Sequence, residues 1–342
     1  MPRCLFLLSF NRPDYLQATL DSLQQQTDRN WQIFLYQDGP RKDRLGTDVP
    51  GIEQCLELFR ERFPEGRIVC SECNLGIGLN MLAAQRHAFG ELGLDVAYFF
   101  EDDLVLHPRY VEQLVLLEEV FRPHQTLVPY FAGYGAVHTV TLPQSALVSS
   151  DLRFMEHFWA FGLFRSHWEE EQTILKGYFD YLTQVDYSQR DNQLIQRMFR
   201  NLGWAHPHTS QDGARTVGLC VTKRCAISTR QPMAHYIGQS GTHWNDCDYK
   251  AWGFSNVRPA DDAIPVAPVF SEENAQELAE GFRHWVCERN EFALLALRRS
   301  LKEAESDMIR MHHRIRAMEG STSWRVTAPL RSIADSIRRI SQ

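Results

Sequence analysis

Val96-Ala97-Tyr98-Phe99-Phe100-Glu101-Asp102-Asp103-Leu104-Val105-Leu106 sets three consecutive carboxylates between two apolar runs. The run before them, rich in aromatic residues, is short enough to read as a buried strand. Neighbouring carboxylates repel one another, so a buried strand end that carries them calls for a cation to offset the charge. Hard oxygen ligands favour magnesium or manganese, which bind through one or two carboxylates together with substrate phosphates. The alternative is a solvated acidic turn, and the apolar flanks on both sides oppose it.

Working outward, the preceding residues alternate between strand-like and helix-like segments. Cys4 to Ser9 is a short apolar run that stops at the Pro-containing loop Phe10-Asn11-Arg12-Pro13. Asp14 to Gln25 places Tyr15, Leu16, Leu20 and Leu23 on one helical face. Trp31 to Tyr36 is a second strand, ended by the turn sequence Gln37-Asp38-Gly39-Pro40. Ile68-Val69 is a third, followed by a loop from Asn74 to Asn80 and a helix through about Glu91. Pro108 suits the first position of a further helix that runs to about Phe121. Alternating strands and helices predict an α/β protein with a mostly parallel sheet flanked by helices. Ligands bind such sheets at the carboxyl ends of the strands. Asn11-Arg12, Asp38 and Glu101-Asp102-Asp103 all fall at such ends.

Residues 1–125 therefore read as a half that binds a ligand at these strand ends, and 126–268, irregular and rich in aromatic, His and Gly residues, as a second half whose loops shape an acceptor site. A helical extension follows over 269–319. Within it Leu294, Leu297, Leu301, Ala304, Met308, Met311, Ile315 and Met318 alternate steps of three and four residues, the seam of a coiled coil. Self-association into a homo-oligomer is expected, with packing of one amphipathic helix on its own body as the alternative. Residues 320–342 form a basic amphipathic tail that carries Trp324, Pro329, Ile333, Ile337 and Ile340 among arginines. It reads either as a helix lying on a membrane surface or as a packed or frayed terminus.

The net charge of −7 argues against a nucleic-acid binder. From Arg298 onward 10 basic side chains meet 5 acidic ones, so an acidic body ends in a basic tail. The apolar run at Leu5 to Leu8 is shorter than a signal-peptide core, and no stretch approaches the roughly 18–20 apolar residues of a spanning helix. A cytoplasmic protein, peripheral at the inner face of the membrane, is expected. Cys70-x-x-Cys73 and Cys220-x4-Cys225 invite a zinc reading, but their distance apart and mismatched spacing favour free thiols.

In order along the chain, these motifs resemble those of GT-A-fold inverting glycosyltransferases. Ser9-Phe10-Asn11-Arg12-Pro13 is similar to the family's opening loop, and Tyr36-Gln37-Asp38-Gly39 to its second-strand aspartate, which contacts the donor base or ribose. Asn74-Leu75-Gly76-Ile77-Gly78-Leu79-Asn80 resembles its donor loop. Phe99-Phe100-Glu101-Asp102-Asp103-Leu104 resembles the metal motif of the N-acetylglucosaminyltransferase I group, where the last aspartate, here Asp103, holds the ion. Ser321 to Arg331 is similar to a C-terminal element of bacterial surface-polysaccharide glycosyltransferases.

The resemblance implies a GT-A fold (Rossmann-like), a Mn2+ or Mg2+ cofactor, a nucleotide-diphosphate sugar donor with UDP favoured, and a glycan or lipid-linked glycan acceptor. Phe10, Asn11, Arg12, Asp38, Asn74, Gly76, Gly78, Asn80, Glu101 and Asp102 would line the donor site. Arg12 would balance the diphosphate, or else sit exposed in its loop. Asp191 matches the acidic position that takes the acceptor proton, although Arg190 stands where the usual first acid would be. Its alternative role is a helix N-cap, and Asp180, Asp186 and Glu169 to Glu171 compete for the base. His243 resembles a late histidine directed at metal or diphosphate, with His235 as backup. Trp159, Trp168 and Trp244 are candidates to stack on sugar rings. Two other classes stay in view: a sugar-phosphate nucleotidyltransferase, disfavoured by the lack of a Gly-rich basic loop after the first strand, and a non-catalytic coiled-coil assembly protein.

Overall fold

The computed structural model describes residues 3–135, 144–239, 246–270 and 275–321. Four strands, β1 (Arg3–Ser9), β2 (Trp31–Gln37), β3 (Arg67–Cys70) and β4 (Val96–Glu101), lie parallel in the order β3-β2-β1-β4. A parallel strand covered on both faces needs apolar residues at successive positions rather than alternate ones. Leu5, Phe6 and Leu7 of β1 are all fully buried for that reason. Phe6 stacks on Phe34 at 4.9 Å and on Phe99 at 5.3 Å, which joins the three central strands on one face.

The helices between them are α1 (Pro13–Gln24), α2 (Leu45–Arg62) and α3 (Gly76–Gln85). The sequence reading left α2 undescribed, because Gly46, Pro50 and Gly51 break its apolar period. The expected loop from Asn74 to Asn80 is shorter than predicted. Helix α3 begins at Gly76, which enters it at φ +70°, so Gly78 and Asn80 are helical residues.

Beyond β4 the sheet changes direction. The remaining strands are β5 (Leu104–Leu106), β6 (Tyr130–Ala132), β7 (Leu152–Phe154), β8 (Ala160–Phe164), β9 (Ala226–Thr229) and β10 (Ala234–Tyr236). Strand β8 runs antiparallel beside β4, and the eight-stranded order closes as β4-β8-β6-β9-β7. Strands β5 and β10 make a small antiparallel ribbon. Helices α4 (Tyr110–Phe121), α5 (Arg165–Ile174), α6 (Lys176–Gln184), α7 (Asn192–Asn201), α8 (Gln211–Thr222) and α9 (Asp246–Trp252) complete the body. This is the GT-A-like α/β arrangement that the sequence predicts.

The chain divides into two units, Met1–Arg289 and Asn290–Gln342. Helix α10 (Ala275–Gly320) begins in the first, where Phe282 and Trp285 pack on Phe154. The part of the tail from 322 onward lies outside the described residues. Among the described residues no helix is long and apolar enough to cross a membrane.

Candidate active site

Because β1, β2 and β4 are parallel, their carboxyl ends fall on one edge: Ser9 is in register with Gln37, and Leu8 with Glu101. Phe10–Arg12, Asp38 and Asp102–Asp103 therefore leave the sheet side by side, as the sequence predicts.

The cation that the acidic turn demands is first of all a side chain. Arg12 donates to Asp102, and its other terminal nitrogen lies 2.9 Å from Asp103 Oδ2. Both aspartates are 2% exposed, whereas the Arg12 side chain keeps partial contact with solvent. Burial opposes the charge on Arg12, but the two carboxylates outweigh it and raise its pKa above the ordinary value. Burial likewise raises Asp103, with Arg12 acting against it. Glu101 is pushed well up by desolvation and then by the charges of Asp103 and Asp212.

One oxygen of this cluster is unmatched. Asp103 Oδ1 is buried and has no hydrogen-bond partner, a costly state unless something else binds there. The backbone just beyond β10 closes the opposite side: Ile237 donates to the Asp103 carbonyl at 2.9 Å, and a Cβ added at Gly238 would come within 2.7 Å of Asp103 Oδ2. Among the described residues no group of three or more His, Cys, Asp or Glu side chains is arranged to hold a metal. A hard cation that takes one or two carboxylates and completes its shell with phosphate needs no such group, so the bare Asp103 oxygen fits it. His243 and Trp244 lie outside the described residues. His235 is turned away from this role, with Nδ1 at 2.7 Å from the Val257 carbonyl.

The donor-loop residues are placed together, but their polar atoms are largely spent on one another. Asp38 Oδ1 accepts from the backbone of Gly39 and Leu75 at 2.9 and 2.7 Å, and Oδ2 from Gly76 and the Asn74 amide at 2.9 and 3.1 Å. Four donors fill the roughly four acceptor positions of a carboxylate, so Asp38 anchors residues 74–76 to the end of β2. Burial pushes its pKa up to about 6, against the pull of these backbone donors. Asn80 donates to the Tyr36 carbonyl at 3.0 Å, and Asn11 to Asp48 at 2.7 Å. The Phe10 ring lies beneath Arg41. The close approaches that Gly76 and Gly78 permit are to protein: an added Cβ would meet the Tyr187 ring at 2.5 Å and Leu182 at 3.2 Å.

Asp191 takes the capping alternative. It is the exposed N-cap of α7, and its Oδ1 accepts from Gln193 and Leu194 at 2.8 and 3.2 Å. Its competitors are engaged as well. Asp180 pairs with Lys176, and Asp186 accepts from Ser188. Glu169 and Glu170 pair with Arg165 and Arg224, while Glu171 is buried against Arg215 and Tyr130.

What stands opposite the acidic turn is the first turn of α8, which the sequence reading passed over. Ser210 caps this helix, and Gln211 donates to Glu101 Oε1 at 2.9 Å. The next residue, Asp212, has one buried oxygen without a partner and the other 3.5 Å from His157 Nδ1. The signal that could have found it is a Ser N-cap followed by an acid in the first turn. Arg215, one turn on, bonds Gln211 and the buried Glu171–Tyr130 pair, and so holds Gln211 from behind.

Aromatic rings wall the space between these two acidic groups. His157 stacks on Trp159 at 4.0 Å, and Trp159 on Tyr236 at 4.1 Å. Two rings that each stack this closely on one indole must take its opposite faces. Trp159 therefore has no face left for a sugar, and Trp168 packs against Phe89. Cys220 and Cys225 are buried free thiols, whereas Cys70 and Cys73 are exposed.

The solved structures this chain is similar to include residues 1–349 of TarS from S. aureus in complex with UDP-GlcNAc, at 13% identity and TM-score 0.43, over 71% of this chain and 60% of that one. Another is the mannosyltransferase PcManGT from Pyrobaculum calidifontis in complex with GDP-Man and Mn2+, at 11% identity and TM-score 0.41, over 99% and 87%. A third is an apo UDP-glucose pyrophosphorylase, at 8% identity and TM-score 0.37, over 70% and 94%. The chain spans 35 to 60% of the length of the TarS chains it matches. At these scores the likenesses carry no argument about activity. No curated protein matches the sequence. Residues 4–163, which run from β1 into β8 and so include the whole acidic edge, match the model of glycosyl transferase family 2.

Proposed function

We propose that this chain is a metal-dependent inverting glycosyltransferase of bacterial surface-polysaccharide synthesis. In this reading it moves a sugar from a UDP-linked donor to a hydroxyl of a glycan or lipid-linked glycan. The observation that carries the proposal is the pairing of two unsatisfied, buried carboxylate oxygens, one on Asp103 and one on Asp212, on facing elements of a single edge.

Asp103, with Asp102 beside it, would hold the Mn2+ or Mg2+ ion, which when bound offsets negative charge on the donor diphosphate. Arg12 bridges the two aspartates and offsets part of their charge. Asp38 and Asn74 fix the loop against which the nucleotide lies. The acceptor hydroxyl gives its proton to the general base, its oxygen bonds to the anomeric carbon, and the bond from that carbon to the diphosphate breaks, so that the nucleoside diphosphate leaves with the electron pair. Attack from the face opposite the leaving group inverts the configuration. We assign the base to Asp212 in place of Asp191, because Asp191 is exposed and caps its helix, whereas Asp212 has a buried oxygen without a partner beside the acidic turn. His157 beside Asp212 would steady the carboxylate.

Incubation with manganese and a panel of nucleotide sugars tests the reading. Metal-dependent release of nucleoside diphosphate supports it. Release of pyrophosphate would instead indicate a nucleotidyltransferase, and silence across the panel would leave the non-catalytic alternative.

A further inference from the structure

We infer that the C-terminal unit pairs with a second copy of this chain as a parallel, in-register, two-stranded coiled coil. The inference is independent of the transfer reaction. In α10, Met308, Met311, Ile315 and Met318 are 68, 62, 47 and 59% exposed, a large apolar load for a solvated helix. Their spacing of three, four and three continues upstream in the sequence through Ala304, Leu301, Leu297 and Leu294. A seam that keeps a 3.5-residue average over so many turns stays on one side only if the helix supercoils around a partner.

The flanking charges name the partner and its direction. With the residues at 294, 301, 308 and 315 as first core positions of the heptads, Asp307 and Arg314 precede the core from one side, and His312 and Glu319 follow it on the other. In a parallel pair each of the former faces the residue five positions on in its partner. Asp307 then meets His312, and Arg314 meets Glu319, twice over by symmetry. All four side chains are exposed, and Asp307, which pairs with Arg310 on its own helix, would exchange that surface contact for the one across the seam. A second copy of this chain supplies both the seam and the complementary charges.

Light scattering of the full-length protein after size exclusion tests this. The wild type is expected to run at a dimer mass at micromolar concentration, and Met311→Glu/Ile315→Glu at the monomer mass with donor binding unchanged. Arg314→Glu sets like charges opposite Glu319 and should raise the dissociation constant by roughly tenfold. Adding Glu319→Arg should restore it, as an antiparallel pair would not. A wild-type monomer at tens of micromolar overturns the proposal, because it would mean that the chain's own tail or body covers the seam. Failure of the charge swap to restore affinity overturns the parallel register. Neither outcome bears on donor turnover, which is read separately.

Discussion

Gln211 donates to Glu101 across 2.9 Å, and through that one bond the first turn of α8 is tied to the end of β4. Gln211 is itself held by Arg215, whose guanidinium is buried and also bonded to Glu171 and Tyr130. The chain of contacts positions Asp212 without touching it. Gln211→Leu leaves Glu101 and Arg215 each short of a partner, at a cost of about 1–3 kcal/mol. It should lower kcat more than it raises the donor KM, because Asp102 and Asp103 keep their pairing with Arg12. A larger effect on KM than on kcat in steady-state kinetics would count against this positioning role.

The two candidate bases separate cleanly. Asp212→Asn keeps size and burial and removes the proton acceptor, so turnover should fall about 10²- to 10⁴-fold with donor affinity by calorimetry unchanged. Asp191→Ala should cost about 1 kcal/mol of stability as a lost N-cap and leave kcat within about twofold. The reverse pattern would return the base to Asp191.

Removal of Arg12 exposes the cost of the acidic turn. Arg12→Ala leaves Asp102 and Asp103 buried without their counter-charge, a loss of about 3 kcal/mol, at the low end for a buried pair because the guanidinium is partly solvated. Added manganese should restore part of the lost thermal stability by occupying the same carboxylates. Asp103→Asn should abolish the metal response while the protein still melts cooperatively. If Arg12→Ala melts identically with and without manganese, the ion does not bind at Asp103.

Asp38 makes a prediction about pH. Its folded pKa, about 6, lies above the ordinary 3.8, so between those values the folded state retains a proton that the unfolded chain has released. Stability contributed by this residue therefore falls as pH rises through that window. Asp38→Asn should remove that part of the slope, seen as a difference between the two proteins in urea unfolding at pH 4, 5, 6 and 7. The amide also turns its N–H groups toward one of the two donor pairs, Gly39 with Leu75 or Gly76 with Asn74, which should raise the donor KM about tenfold. Parallel pH slopes in the two proteins would contradict the raised pKa.

Much of the first half of the chain was legible because it is written locally. A covered parallel strand leaves an uninterrupted apolar run, and polar residues directly after such runs at Asn11, Asp38 and Asp102 mark one edge of the sheet. What those residues do there was less legible. Asp38 was expected to face a ligand, yet its oxygens are filled by a loop 36 to 38 residues away in sequence. Trp159 is one of three candidate rings for a sugar, at least one of which reads as core, and both its faces are taken by His157 and by Tyr236 from a distant strand. Asp212 was missed because its significance comes from Glu101, 111 positions earlier, and no local pattern records that proximity. Helix α2 escaped for a simpler reason: its Gly and Pro residues imitate a loop.

The stacked rings of His157, Trp159 and Tyr236 behave as one plate, with the proposed base at one rim and the acidic turn near the other. On the proposed function, a plate of this kind would fix the spacing between proton removal and leaving-group departure for any sugar transferred. Diversification of substrate in such a scaffold must then be carried by the loops around the plate, which can vary in length and composition without disturbing the gap they enclose.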